Sequence, residues 1–169
     1  LTPVGWHIPT AAEYVTLINY LSQNGGNFDG SITVTPNIGS NKLAKALCSN
    51  DVWPEDNTQL VGTPVKGVNL NNSSGFSALP GGSRYGSTTC SFGFSPSYYS
   101  YSTAGGLNFR NDCVARFWAR SNGNAGGLFN GVGYPTKYNL EIRYNSVSAV
   151  LATNPQSDTN GYSVRLIKD

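Results

Sequence analysis

From residue 50 to its end this 169-residue chain never repeats apolar side chains at the spacing of a helix. Short aromatic and β-branched runs stand there instead: Gly75–Leu79, Phe92–Phe94, Ala115–Arg120, Tyr138–Tyr144, Val147–Leu151 and Tyr162–Ile167. Turns rich in Gly, Asn, Ser and Pro separate them. Gly supplies positive φ, Pro presets a turn, and Asn and Ser bond their own backbone, so these residues break helices and reverse strands. The larger part of the chain must therefore be sheet and loop. Tyr138, Leu140, Ile142 and Tyr144 alternate with Asn139, Glu141 and Arg143, the period-two pattern of a half-buried strand. The ending predicts another, with Tyr162, Val164 and Leu166 set against Ser163, Arg165 and Lys168.

The first fifty residues carry the helical signals. Thr10 to Glu13 spells T-x-x-E after Pro9, the capping box in which each side chain reaches the other's backbone N–H. Tyr14, Leu17, Ile18 and Leu21 then share one face until Gly25 and Gly26 stop the pattern, which predicts a helix over about 10–23. A second, short helix follows Ser40, with Leu43, Ala44, Leu47 and Cys48 inward and Lys42 and Lys45 outward. Trp53-Pro54 lies beyond its end. Ser31 to Thr35 reads either as a short strand or as a loop. Helices first, antiparallel strands after, and neither repeat nor linker together predict one α+β domain over 1–169.

Charge excludes some partners. Asp, Glu, Lys and Arg make up 12% of the chain and the net charge is +2, too little to draw nucleic acid or an anionic membrane. No apolar run reaches the length of a bilayer span. The sequence holds no Met, so it reads as a mature or trimmed piece whose export signal or anchor has been removed. Ten Tyr among few charges suit an extracellular binding surface, where Tyr offers area at low entropic cost. Three Cys leave at least one unpaired within the chain, and none forms a C-x-x-C motif. Cys48 reads as a small apolar residue of the second helix. Cys90 and Cys113 lie in Gly/Ser/Tyr-rich sequence and either stay apart or pair, closing a loop worth about 3 kcal/mol.

Four ordered blocks resemble one bacterial family. Gly5-Trp6-His7-Ile8-Pro9-Thr10, followed by Glu13-Tyr14 and Leu17, resembles the "GWHLPT…EW…L" opening of the Fibrobacter succinogenes major paralogous domain, common in Bacteroidetes surface proteins. Ser40–Leu47 is similar to its "G.KLK" helix. Gly75-Phe76-Ser77-Ala78-Leu79-Pro80-Gly81-Gly82-Ser83-Arg84 is similar to "GFSALPGGYR", and Gly161 to Asp169 to "GFSVRCVKD". The resemblance implies a C-type-lectin-like fold related to that of formylglycine-generating enzymes, and export, often as a lipoprotein or appendage component. Where the family has "FWSST", this chain has Phe117-Trp118-Ala119-Arg120-Ser121, and the stretches 86–112 and 122–137 read as long loops of its own. Such loops lie where a lectin-like fold presents ligand.

The blocks themselves read as scaffold. Phe76 and Leu79 are core candidates, Gly81-Gly82 permits a positive-φ turn, and Trp6 is expected beside the first helix. Arg84 and Arg165 are expected to tie loops together through carbonyls or carboxylates. His7, the single histidine, has no nucleophile or orienting partner in any local motif and reads as a hydrogen-bonded structural residue. The oxidase chemistry of the formylglycine-generating relatives uses cysteines late in the domain, and here no Cys follows Cys113. The expectation is a non-catalytic protein without a cofactor. Calcium is the one cation considered, since Asp51, Glu55, Asp56 and Asn57 cluster around Trp53-Pro54, but a solvated acidic loop explains them as well. The sequons at Asn71 and Asn72 carry no weight in a bacterial protein.

The late aromatic and Asn-rich segments remain. Trp118, Arg120, Tyr138, Arg143 and Tyr144 combine flat rings with planar hydrogen-bonders, a mixture that suits sugar stacking or a protein epitope. The reading is a secreted or cell-surface binding or adhesion module for a glycan or surface protein. Two others stand beside it: a structural or tip subunit that assembles with other surface subunits, and a retroelement-diversified receptor-binding protein.

Overall fold

The computed structural model describes residues 2–32, 40–50, 53, 61–64, 72–81, 83–85, 89–91, 114–120, 126–129, 132–135, 137–153 and 161–169. Along the chain they form β1 (Trp6–His7), α1 (Ala11–Gln23), α2 (Ala44–Leu47), β2 (Ser83–Tyr85), β3 (Thr89–Ser91), β4 (Val114–Ala119), β5 (Gly126–Phe129), β6 (Val132–Pro135), β7 (Tyr138–Arg143), β8 (Ala149–Thr153) and β9 (Ile167–Lys168). Every strand pair is antiparallel. The class is α+β, as the order of sequence patterns predicts.

The capping box starts α1 where expected. Extended backbone at Thr10 lets its Oγ1 accept the Glu13 N–H at 3.2 Å, while Glu13 Oε2 accepts the Thr10 N–H at 2.7 Å. Beyond Gln23 the chain turns sharply, and Gly26 donates to the Leu21 carbonyl at 2.8 Å. A Cβ at position 26 would sit 2.7 Å from that oxygen and 3.0 Å from Leu43 Cδ2, so the crossing admits only glycine.

The central sheet has the order β4-β7-β8. Its register sets Ala115 opposite Ile142, Phe117 opposite Leu140 and Ala149 opposite Ile142, so those residues share one face. That face packs on Tyr14 and Ile18 of α1 and on Leu43, Ala44, Leu47, Cys48, Trp53 and Ala78. Leu43, Leu47, Leu140 and Ile142 are fully buried, each worth about 1.5–3 kcal/mol of transfer free energy. Trp53 Nε1–H donates to the Ala78 carbonyl at 3.1 Å, so the one polar atom of that ring is satisfied in the core.

Several expectations are corrected. The second helix is a single turn with all four residues buried, Lys45 included at 7% exposure. It has no outward side because loops enclose it: Asn72 and Ser74 donate to the Lys45 and Ala46 carbonyls, Ala78 to Leu47, and Ala44 to Val147. β7 is buried on both faces, with Asn139 and Glu141 buried as well as Leu140, where a plain alternation implies one exposed face. Trp6 is 42% exposed, because β1 pairs with β9 rather than lying under α1. Leu79 is half-exposed and Ala78 takes the core place, while Phe76 is partly buried with its ring edge-on to Phe117 at 5.6 Å.

The ending is not one strand: Ser163 makes an isolated parallel bridge to Phe117, Val164 is exposed, and regular pairing resumes only at Ile167. Arg165 lies 4.0 Å from the centroid of the Phe76 ring, a cation–π contact rather than a tie to a carboxylate. Positive φ falls at Asn72, Gly75 and Ser77 rather than at Gly81, whose need is space, since a Cβ there would meet Ser163 Oγ at 2.9 Å. The stretches read as loops hold two hairpins in part, β2–β3 and β5–β6. Ser31 and Ile32 form no strand. The rest of that segment, and Phe92–Phe94, lie outside the described residues.

Candidate functional site

The second face of the central sheet carries polar and aromatic side chains. Period-two geometry places Arg116 opposite Glu141 and Trp118 opposite Asn139, with Arg143 further along β7 on the same side. The chain end widens this face. Ser163 donates to the Arg116 carbonyl and accepts from the Trp118 N–H, both at 3.0 Å, so residues around 163 run beside β4. Tyr162 thereby meets Trp118, ring centroids 4.5 Å apart at 44°. The Arg116 guanidinium sits 5.9 Å from the Tyr162 ring.

Glu141 is the electrostatic centre. Its Oε2 accepts from Arg116 Nε at 2.7 Å and its Oε1 from Arg143 Nε at 2.5 Å. Burial pushes this carboxyl up, but the bonds from Arg143 and Arg116 more than offset it, so it titrates below the usual carboxylate range. Both oxygens engaged and ionised, Glu141 is a brace and no proton donor. Asn139 is buried next to it; its Nδ2 reaches the Ala152 carbonyl at 3.5 Å, while its Oδ1 finds no partner among the described residues.

Of the five residues singled out from sequence, the structure brings Trp118 and Arg143 onto this face. Arg120 is exposed just past β4; its backbone donates to Pro9 and accepts from Ala11, tying the strand end to the start of α1. Tyr138, opposite Ala119, lies on the other face, and it and Tyr144 pack against the core. Arg116, Asn139, Glu141 and Tyr162 were missed as site residues. The signal for Asn139 and Glu141 was present, since β7 alternates and every second residue before Arg143 belongs to this face; Arg116 follows only from its pairing opposite Glu141.

His7 makes a second cluster at the chain ends. Its Nε2 is 2.9 Å from Glu13 Oε1 and its Nδ1 is 2.5 Å from Asp169 Oδ1. Bonds to Glu13 and then to Asp169 hold the ring's pKa above its ordinary value, against a smaller effect of desolvation. Glu13 is pulled down to about 2, first by the Thr10 N–H, then by the Thr10 hydroxyl and His7. An imidazole flanked by two carboxylates is favoured in its protonated form and has no lone pair left to act as a base.

The thiols offer His7 no nucleophile among the described residues. Cys48 is fully buried, and burial pushes it up to about 12. Cys90 belongs to β3, while Cys113, and with it the pairing of Cys90, lies outside the described residues. Among the described residues no group of three or more His, Cys, Asp or Glu is arranged to hold a metal ion. The acidic candidates Asp51, Glu55, Asp56 and Asn57 lie outside them. No helix among the described residues is long and apolar enough to cross a membrane.

Compared with known families, residues 1–168 match the model described as the Fibrobacter succinogenes major domain. No curated protein and no solved structure matches the chain.

Proposed function

The chain belongs to the Fibrobacter succinogenes major domain family, and on that premise we propose that it is a non-catalytic binding or adhesion module displayed outside the cell. It recognises a glycan or a surface protein on a C-type-lectin-like frame. The observation that carries this reading is the tilted Trp118–Tyr162 ring contact beside the Arg116–Glu141–Arg143 network. The partly buried Trp118 ring supplies an apolar contact, and the half-exposed Arg143, braced by Glu141, supplies planar donors held in place before a ligand arrives. Arg143 is half-exposed, and its Nε is taken by Glu141. The buried Arg116, Glu141 and Tyr162 act as supports for Trp118 and Arg143. His7, saturated by carboxylates, has no part in turnover in this reading.

The test is a glycan array run alongside capture from surface-protein extracts, with the wild type and Trp118→Ala. Specific binding by the wild type that falls at least tenfold in the variant is expected. No binding to either ligand class, or binding that Trp118→Ala leaves unchanged, overturns the assignment.

A further inference from the structure

We propose that His7 is a proton-operated latch on the paired chain ends. The ring bridges three elements: its own strand β1, Glu13 in the first turn of α1, and Asp169 just after β9. Holding both carboxylates takes two N–H donors, which only the protonated ring has. Deprotonated, it keeps one N–H and must turn a lone pair on the other carboxylate.

Which side lets go follows from the remaining bonds. Glu13 is fixed independently, because Oε2 accepts the Thr10 N–H at 2.7 Å and the Thr10 hydroxyl at 2.8 Å. The side chain of Asp169 is held by His7, and its backbone N–H by Gly5 at 2.9 Å. Asp169 is therefore the partner released. The ribbon behind it has two residue pairs, Trp6 with Lys168 and His7 with Ile167, too few to persist unaided. Release stays local, because Pro9 and Ala11 remain bonded to Arg120, and Ser163 to β4.

Among the described residues the other charged side chains on the packed elements are Lys168 beside Trp6 and Arg120 beside Thr10, and neither bonds to the ring. Both are cations and act against protonation, so the two carboxylates set the balance. The sign follows: with the folded pKa above the unfolded one, the latch is closed in acid and opens as pH rises through the folded value.

The experiment is an NMR titration of the full chain from about pH 5 to about 9, spanning the range where histidine charge changes. It reads the His7 ring nitrogens together with the backbone amides of Lys168 and Asp169. A ring midpoint above 6.5 is expected, with the Asp169 amide moving at the same midpoint. Asp169→Asn should bring the ring midpoint down, and His7→Gln should abolish the amide step. A ring midpoint at or below 6.5, an Asp169 amide that ignores the ring, or an unchanged midpoint in Asp169→Asn overturns the latch. If His7→Gln fails to fold, the wild-type titration and Asp169→Asn decide.

Discussion

Arg116 and Glu141 face each other across the β4–β7 ladder, Nε to Oε2 at 2.7 Å, with side chains only 9% and 10% exposed. A buried pair is a weak source of stability as a whole but costly to halve, because the survivor keeps its desolvation penalty. Glu141→Gln should therefore lower stability by about 3–5 kcal/mol, read as a shift in the urea midpoint. Replacing Arg116 and Glu141 together by Met and Leu should recover much of it. The pH sign follows from the lowered folded pKa of Glu141: its contribution is present above the unfolded carboxylate value and is lost as acid carries the pH through the folded one.

Gly62 lies against the ring of Phe28. A Cβ there would fall 2.1 Å from Phe28 Cδ1, and the backbone φ of +95° already disfavours any side chain. Gly62→Ala should cost about 2–4 kcal/mol from strain and overpacking together, seen as a lower thermal midpoint. Gly81→Ala should cost less, because its obstacle, Ser163 Oγ at 2.9 Å, is the movable end of a small side chain.

Thr10→Ala removes the cap of α1 and should cost about 1 kcal/mol by chemical denaturation. A double cycle with Glu13→Gln should be strongly non-additive, since each residue bonds the other's backbone. Glu13 is pulled down to about 2 in the folded chain, so its contribution is full above the unfolded carboxylate value and should be lost progressively as the pH falls from there towards about 2.

Cys48 should resist thiol reagents in the native protein. It is fully buried, its pKa is pushed up to about 12, and its thiol is satisfied by the Lys45 carbonyl at 3.2 Å. Peptide-resolved alkylation at neutral pH should label it only as urea unfolds the chain. Labelling under native conditions would mean that the enclosed turn Ala44–Leu47 opens locally.

What could be read from sequence was what local chemistry dictates. The capping box placed the start of α1 within a residue, alternation found β7, and aromatic and β-branched runs marked β4 and β8 within a residue or two. Lys45 was misjudged because a helical pattern says nothing of loops that return from residues 72–78 to cover the other side. The polar face was half legible. Trp118 and Arg143 stood out as residue types, but Tyr162 joins them only through a parallel bridge that no local pattern announces. The carboxylates around His7 were equally hidden in one respect: Glu13 is six residues away, Asp169 is 162.

The ribbon at the chain ends also sets how the molecule bears load. Gly5 and Asp169 lie together at the same end of β1 and β9, one backbone hydrogen bond apart. A force drawing Thr2 away from Asp169 therefore peels the ribbon pair by pair, Trp6–Lys168 before His7–Ile167, instead of shearing all its bonds at once. The ends yield as a soft fuse, and the tension reaches β4 and the core only after that slack has run out.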